Sequence, residues 1–147
     1  MKKILLLQTI LFTMLSSCIV SNTKYFAKAQ SSTDNTYGYT AANPVLIKNA
    51  DLDHSISSSY YYIAHLRSAK GNKLTLLKRS AIFNPKYQQP DIQLVNRYSG
   101  MPLNGKGQIL DLYVLKAENE ADTVKIYINP YEKGKVMIPV GLSFEQE

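Results

Sequence analysis

The chain contains no tryptophan, a single cysteine and only two histidines, and these scarcities exclude several classes of protein. A lone cysteine, Cys18, forbids an intramolecular disulfide. It also leaves a domain downstream of it with no thiolate zinc cage and no catalytic thiol. The histidines, His54 and His65, stand in no metalloprotease pattern, and the chain has no Walker loop, dinucleotide fingerprint, EF-hand loop or G-x-S-x-G nucleophile elbow. Long apolar runs are missing as well. The only substantial one, residues 4–14, is too short and too near the N-terminus for a stable membrane span. Basic residues exceed acidic ones, 17 against 11, for a net charge of +6, but much of the excess lies in the first thirty residues. From residue 18 onward the count is 15 against 11, or +4, and from residue 30 onward it is 13 against 11, or +2. Apart from Lys78-Arg79 the remaining cations are scattered singly, without the basic and aromatic interleaving of a nucleic-acid groove, so no nucleic-acid partner is expected.

What is present begins with an export signal. Lys2 and Lys3 precede the apolar stretch Ile4 to Met14, and residues 1–17 read as a signal peptide. Leu15-Ser16-Ser17-Cys18 looks like a bacterial lipobox, in which small side chains let a peptidase grip extended backbone and the cysteine thiol takes a diacylglycerol. Cys18 is the expected lipidation site, which would make a membrane-anchored lipoprotein outside the cytoplasm. The alternative is cleavage after Ala27-Lys28-Ala29, giving a soluble secreted or periplasmic protein. Residues 18–36 are polar and weakly periodic, so they read as a flexible tether. Residues 37–147 form the domain, long enough for one core and too short for two.

Within that domain the hydrophobic period is mostly two, which predicts a mainly β fold, a single antiparallel sheet of about five strands with long loops; α+β with one short helix is the alternative. Pro44-Val45-Leu46-Ile47 is a short strand. Residues 59–66, containing Tyr60-Tyr61-Tyr62, and residues 73–78 read as a hairpin around Gly71, with a helix over 74–82 as the other reading of its second arm. Prolines and glycines break up residues 84–107, leaving only Asp91 to Tyr98 as a plausible strand. Residues 108–115 and 123–129 form the clearest pair, Val124, Ile126 and Ile128 facing one way and Thr123, Lys125 and Tyr127 the other. Pro139 puts the closing segment, Val136 to Phe144, at a sheet edge or across the sheet as an irregular element.

Tyr37-Gly38-Tyr39-Thr40, Asn43-Pro44-Val45, Leu110-Asp111-Leu112-Tyr113, Lys125 to Tyr131 and Pro139 to Phe144 resemble a family of small exported, uncharacterised Bacteroidetes proteins. The likeness covers roughly residues 37–144. Some members carry the label 2-dehydro-3-deoxyphosphooctonate aldolase, which implies an eight-stranded barrel of about 250 residues; the 118 to 130 residues left after either cut cannot build one. Where relatives have a Gly-Ser-Cys-Cys-like stretch, this chain has Ser80-Ala81-Ile82-Phe83. The resemblance implies export and a shared fold, and no catalytic residue.

Three features are weighed for chemistry. Asp51-Leu52-Asp53-His54 has metal-ligand residue types, but the cluster reads as a turn between strands, so no metal site is expected there. His65 is a structural histidine unless a nucleophile and a carboxylate meet it in space. The ten tyrosines after residue 30 are either β-sheet filling or, at Tyr60, Tyr61 and Tyr62, a binding surface. We expect no cofactor, and read a non-enzymatic envelope module that binds a protein or glycan through a tyrosine-bearing face or the loop of residues 84–107. The alternatives are a small hydrolase or lyase using His65 or His54, and a purely structural envelope component.

Overall fold

The computed structural model describes residues 19–48, 55–89, 91–92, 95–100 and 107–145. The stretch read as a signal peptide, Cys18 and the Asp51 to His54 cluster lie outside them. The elements run α1 (Ile19–Phe26), β1 (Val45–Lys48), α2 (Ser55–His65), β2 (Leu66–Arg67), β3 (Leu74–Phe83), β4 (Ile109–Ala117), β5 (Thr123–Lys133) and β6 (Ser143–Phe144). The protein is mainly β, as its period-two pattern predicts. Its sheet is mixed where an all-antiparallel one was expected: four strands in the order β1-β5-β4-β3, with β2 and β6 forming a separate two-stranded ladder.

β3, β4 and β5 form an antiparallel meander, and β1 joins its edge parallel to β5. The parallel pair follows from α2. Strands running the same way need a connection that carries the chain back along the sheet, and a helix does this while satisfying its own backbone. β1 and β3 therefore point in one direction with α2 between them.

The three consecutive tyrosines lie on α2, not on the strand that residues 59–66 suggested. The buried positions are Ser58, Ser59, Tyr62, Ile63 and Leu66, a stripe at helical spacing. Two of its members are serines, so the stripe does not register as hydrophobic, and the local β-propensity of tyrosine dominates the pattern. Burial of Tyr62, Ile63 and Leu66 contributes roughly 1.5–3 kcal/mol each, enough to override such local preferences. The turn after α2 is where Gly71 implied it, with φ of 82°. The arm that follows is a strand throughout, so the helical alternative over 74–82 does not hold.

The segment read as a tether is part of the fold. α1 is helical, and Phe26, 1% exposed, packs against Tyr61, Tyr62 and Phe144 with ring centres 5.5 to 5.7 Å away. Asn22 accepts a hydrogen bond from Ser58, and Thr23 meets the Tyr61 hydroxyl. Further on, Ser31 bridges Ile138. Polarity along residues 18–36 does not forbid docking, because one aromatic ring and a few side-chain hydrogen bonds suffice to hold a short helix.

The closing segment packs irregularly, as Pro139 implied. It is held largely by tyrosines: Tyr62 donates to the Met137 carbonyl at 2.8 Å, Tyr39 to Val140 at 2.6 Å, and Tyr37 accepts from the Met137 amide at 3.0 Å. These bonds satisfy backbone groups that have no ladder partner. In residues 91–98 the described part is a bend at Asp91 and Ile92, a single bridge residue at Val95 and the start of a turn over Arg97 to Ser99, with Asn96 Oδ1 accepting from the amides of Tyr98 and Ser99. Of the strand expected over Asp91 to Tyr98, residues 93 and 94 lie outside the described residues, and the described ones form no strand.

Candidate functional site

The four residues that come together on the helix-covered face are Tyr60, Arg79, Asp111 and Tyr113. Their placement depends on a bulge. Leu76 is opposite Leu115, but Lys78 is opposite Val114, so Leu77 is an extra residue in β3. A bulge reverses which later side chains face which way. Before it Leu74 and Leu76 share the side of Ala117 and Leu115; after it, Arg79, Ala81 and Phe83 take that side, opposite Tyr113, Asp111 and Ile109.

Arg79 donates from Nη2 to Asp111 Oδ2 at 2.9 Å and from Nη1 to the Tyr60 hydroxyl at 3.0 Å. Its guanidinium carbon lies 5.4 Å from the Tyr60 ring centre and 5.8 Å from that of Tyr113, within cation–π range. The two rings meet edge to face at 6.1 Å. The Asp111 side chain is 10% exposed and that of Arg79 is 35% exposed, so the pair closes the rim of the core with one cationic edge reaching water. The hydrogen bond that Arg79 donates to Asp111 raises the guanidinium pKa further and keeps the group protonated. Burial pushes the Tyr113 phenol up to about 12; the Asp111 charge adds to that, and Arg79 opposes it.

Around this cluster the surface stays open. Tyr60 is 43% exposed, and Leu76 and Leu77 are exposed on β3. β3 is the edge strand of the sheet, and it is exposed or half-exposed at every position after Leu74. Among the described residues no strand pairs with the outer side of these ten residues, which leaves backbone donors and acceptors for another chain. Charge and the bulge restrain indiscriminate pairing there, while tyrosine and arginine are residues suited to a specific contact.

The remaining candidates separate from this cluster. Tyr62 is fully buried and Tyr61 is partly buried, stacked on His65 at 4.0 Å and near Phe26. The expected binding surface of three tyrosines therefore reduces to Tyr60, since successive residues on a helix point about 100° apart. His65 sits at the end of α2 with Nδ1 2.8 Å from the Tyr61 carbonyl and its ring stacked against Phe144 at 5.6 Å. A carbonyl can only accept, so Nδ1 carries the proton in that contact, an orientation set by backbone and aromatic packing. His54 lies outside the described residues. Among the described residues, no group of three or more His, Cys, Asp or Glu is placed to hold a metal ion, and no helix is long and apolar enough to cross a membrane.

Sequence reading did not find Arg79 and Asp111. The only available signal was Asp111 between leucines in a strand, a polar residue in an apolar run that needs a partner. Comparison of the chain with protein-family models, with curated proteins and with solved structures finds no match.

Proposed function

We propose that the protein is an exported, lipid-anchored and non-enzymatic module that binds another envelope protein along β3, with Tyr60 and Arg79 at the centre of the contact. The observation that carries the anchoring half is Phe26 in the core. Cleavage after Ala29 would remove α1 and with it a ring packed on Tyr61, Tyr62 and Phe144. A cut before Cys18 keeps all of it. The packing of Phe26 thus supports the lipobox reading over the later cut.

The binding half is supported by the open β3 edge beside an exposed tyrosine and a half-exposed arginine. Strand addition supplies affinity through main-chain hydrogen bonds, and the flanking side chains supply selectivity. Against the hydrolytic reading through His65 stand the contact of Nδ1 with a backbone carbonyl and the stacking of the ring on two aromatic neighbours.

Intact mass of the protein from its native host tests the anchor. A species starting at Cys18 with added acyl mass supports the reading, and a lipid-free species starting at Gln30 removes it. Cross-linking in the envelope tests the partner: Tyr60→Ala with Arg79→Ala should abolish a protein adduct that wild type gives. An unchanged adduct, or capture of glycan alone, overturns the assigned surface.

A further inference from the structure

We infer that the end of the domain where α1 begins is a bilayer-contacting surface, with Ile56, Phe83, Ile109 and Tyr131 reaching the interfacial layer of the membrane that holds the anchor. The tether in this inference rests on the proposed lipidation of Cys18; the orientation rests on the fold. α2 ends at His65, and the chain passes through Leu66 and Arg67 to a turn that delivers Leu74 opposite Ala117. The C-terminal end of α2 therefore lies at the Ala117 end of the sheet and its N-terminal end at the other. α1 runs parallel to α2, because Asn22 meets Ser58, Thr23 meets Tyr61 and Phe26 meets Tyr62 in ascending order. Ile19 thus starts at the same end as Ser55.

That end also holds the C-termini of β1 and β5, where Lys48 pairs with Lys133, and the facing residues Phe83 and Ile109 at the end of β3 and the start of β4. Four elements place apolar or aromatic side chains there in the open: Ile56 is 51% exposed, Phe83 62%, Ile109 46% and Tyr131 42%. The exposed Lys48 and Lys133 stand beside them, with Glu132 as a counter-charge. Aliphatic and aromatic side chains mixed with long cations form the composition that partitions to the lipid headgroup boundary.

The choice of a bilayer over another occupant comes from the anchor. α1 begins one residue after Cys18, and consecutive Cα atoms are only about 3.8 Å apart. Acyl chains on Cys18 would have almost no slack, so this end is drawn against the headgroups, and its apolar side chains enter the layer the anchor enters. The β3 edge around Leu76 to Arg79 stands further from the bilayer and stays free for a partner.

The chain has no tryptophan, so a single introduced indole reports its own surroundings. The protein from Cys18 to Glu147, which contains the whole described core, is coupled through its only thiol to a maleimide phospholipid in phosphatidylcholine vesicles, with or without brominated acyl chains. Phe83→Trp and Ile109→Trp should shift their emission to the blue on coupling and lose it severalfold in brominated vesicles. Lys70→Trp, in the turn at the opposite end, should do neither. Equal emission with and without bromine at both Phe83→Trp and Ile109→Trp, or quenching of Lys70→Trp to the same extent, overturns the inference. Tyr131→Trp replaces either reporter that fails to fold. Because the coupling is chemical, this result is independent of native lipidation, which the intact mass reads separately.

Discussion

Arg79 reaches Asp111 at 2.9 Å across β3 and β4 only because Leu77 is an extra residue that turns Arg79, rather than Lys78, to the core side. The pair lies between a surface ion pair, worth about 0–1 kcal/mol, and a buried one, whose disruption costs about 3–5 kcal/mol. Asp111→Ala should therefore cost about 1–3 kcal/mol in urea unfolding. Replacing both residues, with Arg79→Met and Asp111→Leu, should recover most of the loss, since apolar pairs of similar size fill such sites well.

Tyr60 and Tyr62 are two residues apart and should behave oppositely. Tyr62→Ala empties a fully buried site and breaks the bond to the Met137 carbonyl, a loss of about 3–5 kcal/mol. Tyr60→Ala should cost about 1 kcal/mol, the worth of its contacts with Arg79. Equal costs in thermal or urea unfolding would contradict the helical placement of the triplet.

Phe26→Ala should destabilise the domain by about 3–5 kcal/mol, and a chain beginning at Gln30 should be at least as unstable. The measurement is denaturant midpoint at unchanged slope. A chain from Gln30 as stable as one from Cys18 would remove the argument that joins α1 to the core.

High pH should unfold the protein through its tyrosines. Tyr37 and Tyr113 are pushed up to about 12, in both cases chiefly by burial, against about 10 in the unfolded chain, and Tyr62 is raised as well. A folded pKa above the unfolded one means the contribution is complete below pH 10 and is lost as pH rises through 12. Each of the first two accounts for about 2–3 kcal/mol across that window. Tyrosinate absorbance should rise together with loss of structure, and Tyr113→Phe should soften the dependence.

Legibility of the fold follows the range of the interaction. β1, β4 and β5 were readable because alternation and neighbouring turns specify them locally; Val124, Ile126 and Ile128 do face inward. The turn at Gly71 was readable because its positive φ belongs to glycine. α2 was not, because its buried stripe runs through Ser58 and Ser59, whose small side chains fit under α1 and the sheet yet carry no hydrophobic signal. α1 was not, because Phe26 acquires its partners from residues 35 or more positions away.

By itself the sequence determined a mainly β domain and an apolar N-terminal stretch followed by the one cysteine, since period-two patterning, composition and residue scarcity are properties of the chain alone. The tertiary structure decided the rest. One extra residue in β3 chose Arg79 over Lys78 as the partner of Asp111, and a helix between β1 and β3 made one sheet edge parallel. The packing of Phe26 turned a polar stretch into part of the core. Each of these is a choice of register or partner, and its energy comes from contacts between residues distant along the chain, which no local pattern records.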